Sequence, residues 1–190
     1  LGFRGTCSNG FVLTSSGHVD QILSMPYAEI HSKSMHPFAH IVWGSLWLGL
    51  ATDALNRART AVRAEARKSP GITPISAVRL AEADIVLFSM RSGLQLVIAD
   101  YDRLLAAGDL DAFSNFTFGI RINNLKISCS QLVVDIVGRA MLICGIAGYR
   151  NDSKLSLGRH LRDAWGACLM VNNDRILGAN ATMQIGQREG

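Results

Sequence analysis

Proline is scarce in this chain, with four in 190 residues. Each proline removes a backbone donor and breaks a helix interior, so so few of them leave room for long helices. Charged residues make up only 18%, and no run of like charge reads as a nucleic-acid arm. The four cysteines are Cys7, Cys129, Cys144 and Cys168. None forms a CxxC pair and none has a histidine at metal-ligand spacing. This excludes a zinc knuckle or disulfide scaffold and points to reduced, mostly buried thiols. A signal peptide with a basic start and small-residue cleavage site is also missing. The longest apolar stretch, Phe38 to Ala51, is too short for a bilayer and reads as a core helix. The expectation is a cytoplasmic protein with no membrane or nucleic-acid partner.

Hydrophobic residues are plentiful at 48%, enough to bury a core in one or two domains. The net charge is +4, and only Lys33, Lys68, Lys126 and Lys154 among the basic residues are lysines. The rest are arginines, whose planar fork suits phosphate.

Residues 1 to about 30 are cut by Gly2, Gly5, Asn9, Gly10 and Ser15-Ser16-Gly17. Phe11, Leu13, Val19 and Ile22 fit two short strands joined at that last turn. Such a pair is marginal alone and needs a partner. From Pro37 the pattern becomes helical. A first segment runs to about Lys68 and stops at Ser69-Pro70-Gly71. A second runs from about Pro74 to Ala107, with Leu80, Leu87, Leu94 and Tyr101 every seven residues on one face. A third spans about Asp111 to Cys144. A fourth spans about Ser156 to Ile185, with Leu161, Trp165, Cys168, Leu169 and Ile176 on one side. The pattern predicts a mainly α chain: an antiparallel four-helix bundle preceded by a short β segment. Trp43, Trp47, Leu48 and Leu50 crowd nearly every side of the first helix, which predicts burial all round and hence a homo-oligomer.

Four clusters are candidates for chemistry. Arg57, Arg59, Arg63, Arg67 and Lys68 crowd the end of the first helix, where cations complement the macrodipole. Gly145 and Gly148, in Cys144-Gly145-Ile146-Ala147-Gly148-Tyr149, fit a helix C-cap or a close backbone approach to a ligand. Asp163, in His160-Leu161-Arg162-Asp163-Ala164, reads as a structural ion-pair partner rather than a catalytic acid. His31, His36 and His40 stand five and four apart, with no carboxylate triad accompanying them, and are not a metal set. Cys7 has no histidine nearby to lower its pKa and is not a nucleophile.

In this order and spacing, the motifs resemble the C-terminal helical domain of the acyl-CoA dehydrogenase superfamily of flavoproteins. That family carries Glu-Arg-x-x-Phe-Gly at the end of a helix. Ala66-Arg67-Lys68-Ser69-Pro70-Gly71 keeps the Arg and the Gly, lacks the Glu and has Pro70 for Phe. The resemblance implies that Arg67 reaches the pyrophosphate of FAD across a subunit interface. It also implies that Gly145, Gly148 and Tyr149 seat the adenine end, with Ile146 in place of a second Gly and Leu142 where Gln is frequent. The opening Gly2-Phe3-Arg4-Gly5-Thr6-Cys7-Ser8 is similar to an Arg-Gly-Thr-x-Ser stretch late in the family's central β domain. Residues 1–36 are then the tail of a β domain and 37–190 the helical domain. The chain opens without an initiator Met and is expected to be part of a longer protein, inactive on its own. The family commonly forms dimers of dimers, so a homotetramer is implied.

One departure bears on function. Many members have Tyr-Glu-Gly-Thr eight residues beyond the Arg-Asp pair. Its Glu takes the α proton of an acyl-CoA as hydride leaves the β carbon, and an unactivated C–H needs such a positioned base. Here the register reads Met170-Val171-Asn172-Asn173-Asp174-Arg175. Val171 stands at the Glu position, and Asp174 lies about one helical turn further on. The flavin monooxygenase branch of the superfamily also lacks this Glu. Two readings of the parent follow: an FAD-dependent oxidoreductase acting on an acyl-CoA-type substrate, or one carrying out flavin-dependent oxygenation of a small molecule. A third is a non-catalytic helical oligomerisation domain. No catalytic residue is assigned at this level.

Overall fold

The computed structural model describes Thr6 and residues 9–186. The rest of the opening run, including Cys7, lies outside the described residues, and with it the Arg-Gly-Thr-x-Ser likeness. Among the described residues no strand forms. Phe11, Val12, Leu13, Val19 and Ile22 are each at least 68% exposed. The hairpin predicted from them is replaced by a single 3-10 turn, Val19–Gln21, capped by His18. Two lone strands bury too little to hold a ladder, and no sheet among the described residues offers them an edge.

Helix begins earlier than Pro37. Pro26, in extended conformation, caps α1 (Tyr27–Ile30). One π-turn, His31–Met35, leads without interruption into α2 (His36–Ala66). Proline 37 accounts for that turn. It cannot donate to the fourth residue back, and its ring would strike that residue's carbonyl, a conflict that a widened turn relieves. Helix α2 stops near Pro70, with Gly71 at φ 84°. Helix α3 (Ile75–Ala106) follows Pro74 and ends at Gly108, φ 69°. Asn115 caps α4 (Phe116–Cys144), its side chain accepting from the Thr117 amide at 2.8 Å. Gly145 closes α4, and one further turn, α5 (Ile146–Tyr149), follows it.

The fourth helical segment is two helices, α6 (Gly158–Leu169) and α7 (Asn173–Gly186). They occupy the fourth position of an antiparallel bundle. Gly148 meets Leu157 at one end, Lys126 meets Ala167 mid-way, and Asn123 meets Asn180 near the other end. Helix α4 is central and packs on α2, α3, α6 and α7. Among the described residues it is the one helix long and apolar enough to cross a membrane. Here its apolar side chains form the core, Ile122, Val133, Ile136 and Val137 being buried against Trp47, Leu55, Leu87 and Met90. Gly44 lets the helices close, since a Cβ there would meet Leu94 at 3.3 Å.

Helix α2 is not buried all round within one chain. Trp47 is, but Trp43, Leu48 and Leu50 are half-buried. Phe38, Val42 and Leu46, spaced four apart on one face, are 59%, 43% and 61% exposed. Helix α3 carries Ile85, Phe88 and Leu96 on its outer side, each at least 62% exposed.

Candidate functional site

The π-turn aligns a row of rings. A five-residue step is right for a π-turn, so His31 and His36 share a face, and steps of four, three and four then add His40, Trp43 and Trp47. Successive centroids from Tyr27 to Trp47 lie 5.6, 5.4, 4.5, 5.4 and 6.4 Å apart. His31, His36, His40 and Trp43 of this row line an open cavity of about 460 Å³, flanked by Asn123 of α4, Val171 at the α6–α7 break, and Arg175, Ile176 and Met183 of α7. No carboxylate lines it, and Arg175 is its one permanent charge among the described residues.

Burial disfavours the charged form of two of the imidazoles, His36 and His40. Burial brings His40 down to about 3, with His36 beside it adding to the fall. Burial also lowers His36, against an opposing hydrogen bond to Asn123. His40 Nδ1 lies 3.3 Å from the Ile122 carbonyl; a carbonyl only accepts, so Nδ1 carries the hydrogen. His36 Nε2 lies 2.9 Å from Asn123 Oδ1. Asn123 Nδ2 donates to Asn180 Oδ1 at 2.8 Å, and Asn180 Nδ2 donates to Asn124 Oδ1 at 2.9 Å. That amide chain leaves Asn123 presenting an acceptor to His36.

The break that brings Val171 to the cavity is held from α4. Val171 sits at φ 48°, a left-handed conformation costly for a β-branched side chain. Lys126, 0% exposed, donates to the Val171 carbonyl at 2.8 Å, to Ala167 O at 3.2 Å and to Asn173 Oδ1 at 2.6 Å. Its ammonium also lies 5.9 Å from the Trp47 ring. It therefore caps the C-terminus of α6, where a cation complements the helix dipole, and burial lowers its pKa. Asp174 is exposed in the first turn of α7 and does not line the cavity.

The predicted phosphate residues lie at the other end. Arg67 caps α2, exposed, with no ion pair or side-chain hydrogen bond among the described residues. Gly145 is exposed at φ 57°, and the N–H groups of Ile146 and Ala147 after it have no backbone acceptor. Gly148 is buried, and a Cβ there would meet Cys144 Cβ at 2.7 Å. Tyr149 and Leu142 are each 73% exposed. Arg57 is committed internally, donating to Asp53 at 2.9 Å and to the Ser156 carbonyl at 2.9 Å. His160 meets the same Asp53 at 2.7 Å. Burial alone would raise Asp53, but these two hydrogen bonds hold it below the usual carboxylate range. Arg67 lies ten residues, about 15 Å, beyond Arg57 along α2. Among the described residues no hydrogen bond or ion pair links Arg67 to the Gly145 turn. Asp163 pairs with Arg159 at 3.8 Å.

A family model described as acyl-CoA dehydrogenase, C-terminal domain, matches residues 38–168. The chain belongs to the acyl-CoA dehydrogenase family. No curated protein and no solved structure matches it. The acyl-CoA dehydrogenase match takes in His40, Trp43, Asn123 and Lys126. It starts after His31 and His36 and stops before Val171 and Arg175. The frame of the cavity is thus family territory, while half of its polar lining lies outside the matched stretch. Two features escaped the motif reading. Lys126 is the one charged residue between Arg121 and Asp135 in α4. The ring row was hidden by its five-residue step from His31 to His36.

Proposed function

We propose that this chain is the C-terminal part of an FAD-dependent oxidoreductase whose substrate is bound at the histidine-lined cavity. The substrate is an acyl-CoA or, in a divergent member, a small molecule that undergoes flavin-dependent oxygenation. The observation that carries this reading is the position of Val171. The residue at the family's base position does line a cavity, yet no carboxylate joins it there. A divergent member is favoured over a standard β-oxidation enzyme for that reason, one that either takes its base from another wall of the cavity or needs none.

The chain's own residues fit the dinucleotide. Arg67 offers an unpaired guanidinium, and the Gly145 turn offers two N–H groups without backbone acceptors. Gly148 shapes that turn by close packing. When bound, FAD accepts a hydride or, once reduced, reacts with oxygen. On this reading Arg67 and the Gly145 turn serve one dinucleotide across a subunit contact. The uncovered Phe38, Val42 and Leu46 face supports a dimer or a dimer of dimers. The segment ahead of α1 belongs, on this reading, to a β domain, whose sheet would cover Phe11, Leu13 and Val19.

The test uses the flavin-loaded complete protein without oxygen. Bleaching of the flavin absorbance by acyl-CoA supports the acyl branch. No bleaching by acyl-CoA, with oxygen consumption once a flavin reductase is supplied, supports oxygenation. A complete protein that takes up no FAD overturns both and leaves the oligomerisation role.

A further inference from the structure

We propose that His36 is the proton acceptor of this site, taking on Nδ1 the substrate proton that a carboxylate at position 171 would otherwise take. The proposal rests on the acyl branch of the oxidoreductase reading and names its base.

Position comes first. His36 and Val171 line the same cavity from different elements, α2 and the α6–α7 break. A base lost from one wall is therefore available from another. The amide chain then decides the tautomer. Asn180 holds the Nδ2 of Asn123, and Asn124 holds the Nδ2 of Asn180. In this arrangement Asn123 presents Oδ1 to His36, and His36 Nε2 carries the hydrogen. Nδ1 is left as a bare lone pair. It is also reachable. Among the described residues the one buried side-chain nitrogen or oxygen without a partner is His160 Nδ1. The unpartnered Nδ1 of His36 is therefore not sealed in the protein.

The same contact accommodates the product of proton transfer. An imidazolium donates from both nitrogens, and Asn123 Oδ1 continues to accept from Nε2. His40 lines the same cavity with its Nδ1 turned to the Ile122 carbonyl, but its deeper burial brings it down to about 3 and makes it the weaker base. Its edge against the His36 ring, at 4.5 Å, holds that ring in place. In the step itself, the C–H bond beside the thioester carbonyl breaks and its proton goes to His36 Nδ1. The electron pair becomes the new C=C bond as a hydride leaves the adjacent carbon for the flavin oxidant.

The test compares wild type, His36→Ala and Asp174→Asn in the flavin-loaded complete protein, following anaerobic bleaching by acyl-CoA. Loss of a positioned base slows this step by about 10²–10⁴-fold. His36→Ala is expected to show that loss, to recover with added imidazole, and Asp174→Asn is expected to bleach as wild type does. Long-range ¹⁵N NMR of the ligand-free wild type adds a readout independent of turnover and of any variant's folding: His36 is expected as the Nε2–H tautomer at neutral pH. Unchanged bleaching in His36→Ala, slowing that imidazole does not relieve, or an Nδ1–H tautomer overturns the assignment of His36 and leaves the flavoenzyme reading standing. A wild type that acyl-CoA does not bleach overturns the acyl branch and this proposal with it.

Discussion

Replacing Lys126 by Met removes a cation from the centre of the bundle while keeping most of its volume. In the native chain its ammonium is fully buried and satisfies three acceptors, the Ala167 and Val171 carbonyls and Asn173 Oδ1. Each buried acceptor left without a donor costs about 1–3 kcal/mol. Against this stand the several kcal/mol of ammonium desolvation that the variant no longer bears. Asn173 can also turn toward Ser130, its existing neighbour at 3.1 Å. The balance is a loss of about 2–4 kcal/mol. For a chain of this size that lowers Tm by roughly 4–16 °C. Urea unfolding followed by circular dichroism measures the loss. Hydrogen exchange locates it, with protection falling first around residues 167–173. The charge also gives a pH signature. Burial lowers the folded pKa of Lys126 below its usual 10.5, so between those two values the unfolded chain binds more protons than the native one. Stability attributable to this group therefore rises with pH through that window, and Lys126→Met lacks the rise. A Lys126→Met protein within about 0.5 kcal/mol of wild type, the ordinary range for surface changes, would refute this account of the break.

Arg67→Ala in the complete apo protein should weaken FAD binding by about two orders of magnitude, two charge-assisted bonds being worth roughly 1.5–3 kcal/mol each. Arg67→Lys should fall between, and equal affinities in titration would make Arg67 an ordinary helix-end charge. Val171→Gly should stabilise the chain by about 1 kcal/mol, since relief of left-handed strain exceeds the entropy cost of glycine; a lower Tm would count against that strain. Gly148→Ala should destabilise the chain by roughly 1–3 kcal/mol through overpacking against Cys144, with or without flavin, and an effect confined to flavin affinity would reverse that reading. Phe88→Asp, on the exposed side of α3, should shift light-scattering mass toward monomer, whereas an unchanged mass would place the subunit contact elsewhere.

The four long helical stretches were legible because their stops are chemical. Ser69-Pro70-Gly71, Gly108 and Gly145 end helices by backbone rules that need no tertiary partner. The break at Met170–Asn172 carries no proline or glycine. It is held by Lys126, 45 residues from Val171 in sequence, so local patterning could not locate it. Pro37 pointed to a helix start because proline favours first turns; the π-turn instead absorbs it inside a helix that begins at Tyr27. Alternation at Phe11, Leu13, Val19 and Ile22 described strands only on condition of a sheet to join. The site divides in the same way. Gly145 was legible as a C-cap, while His31 fell out of the 3.6-residue rhythm and joined His36 and His40 only through that turn.

The π-turn also acts as a torsional joint. Each residue in a helix adds about 100° of rotation, 3.6 of them making a turn. The extra residue at His31–Met35 thus sets the angle at which everything ahead of it leaves the bundle. Deleting one residue there would swing His31 and the whole leading segment about 100° around the α2 axis, with the core below untouched. Proline 37 guards against that reversion, because an ordinary α-turn at this point would drive its ring into the preceding carbonyl. One imino acid in the first turn of α2 thereby fixes the heading of whatever is attached upstream, and with it the face that an attached domain would present to the cavity.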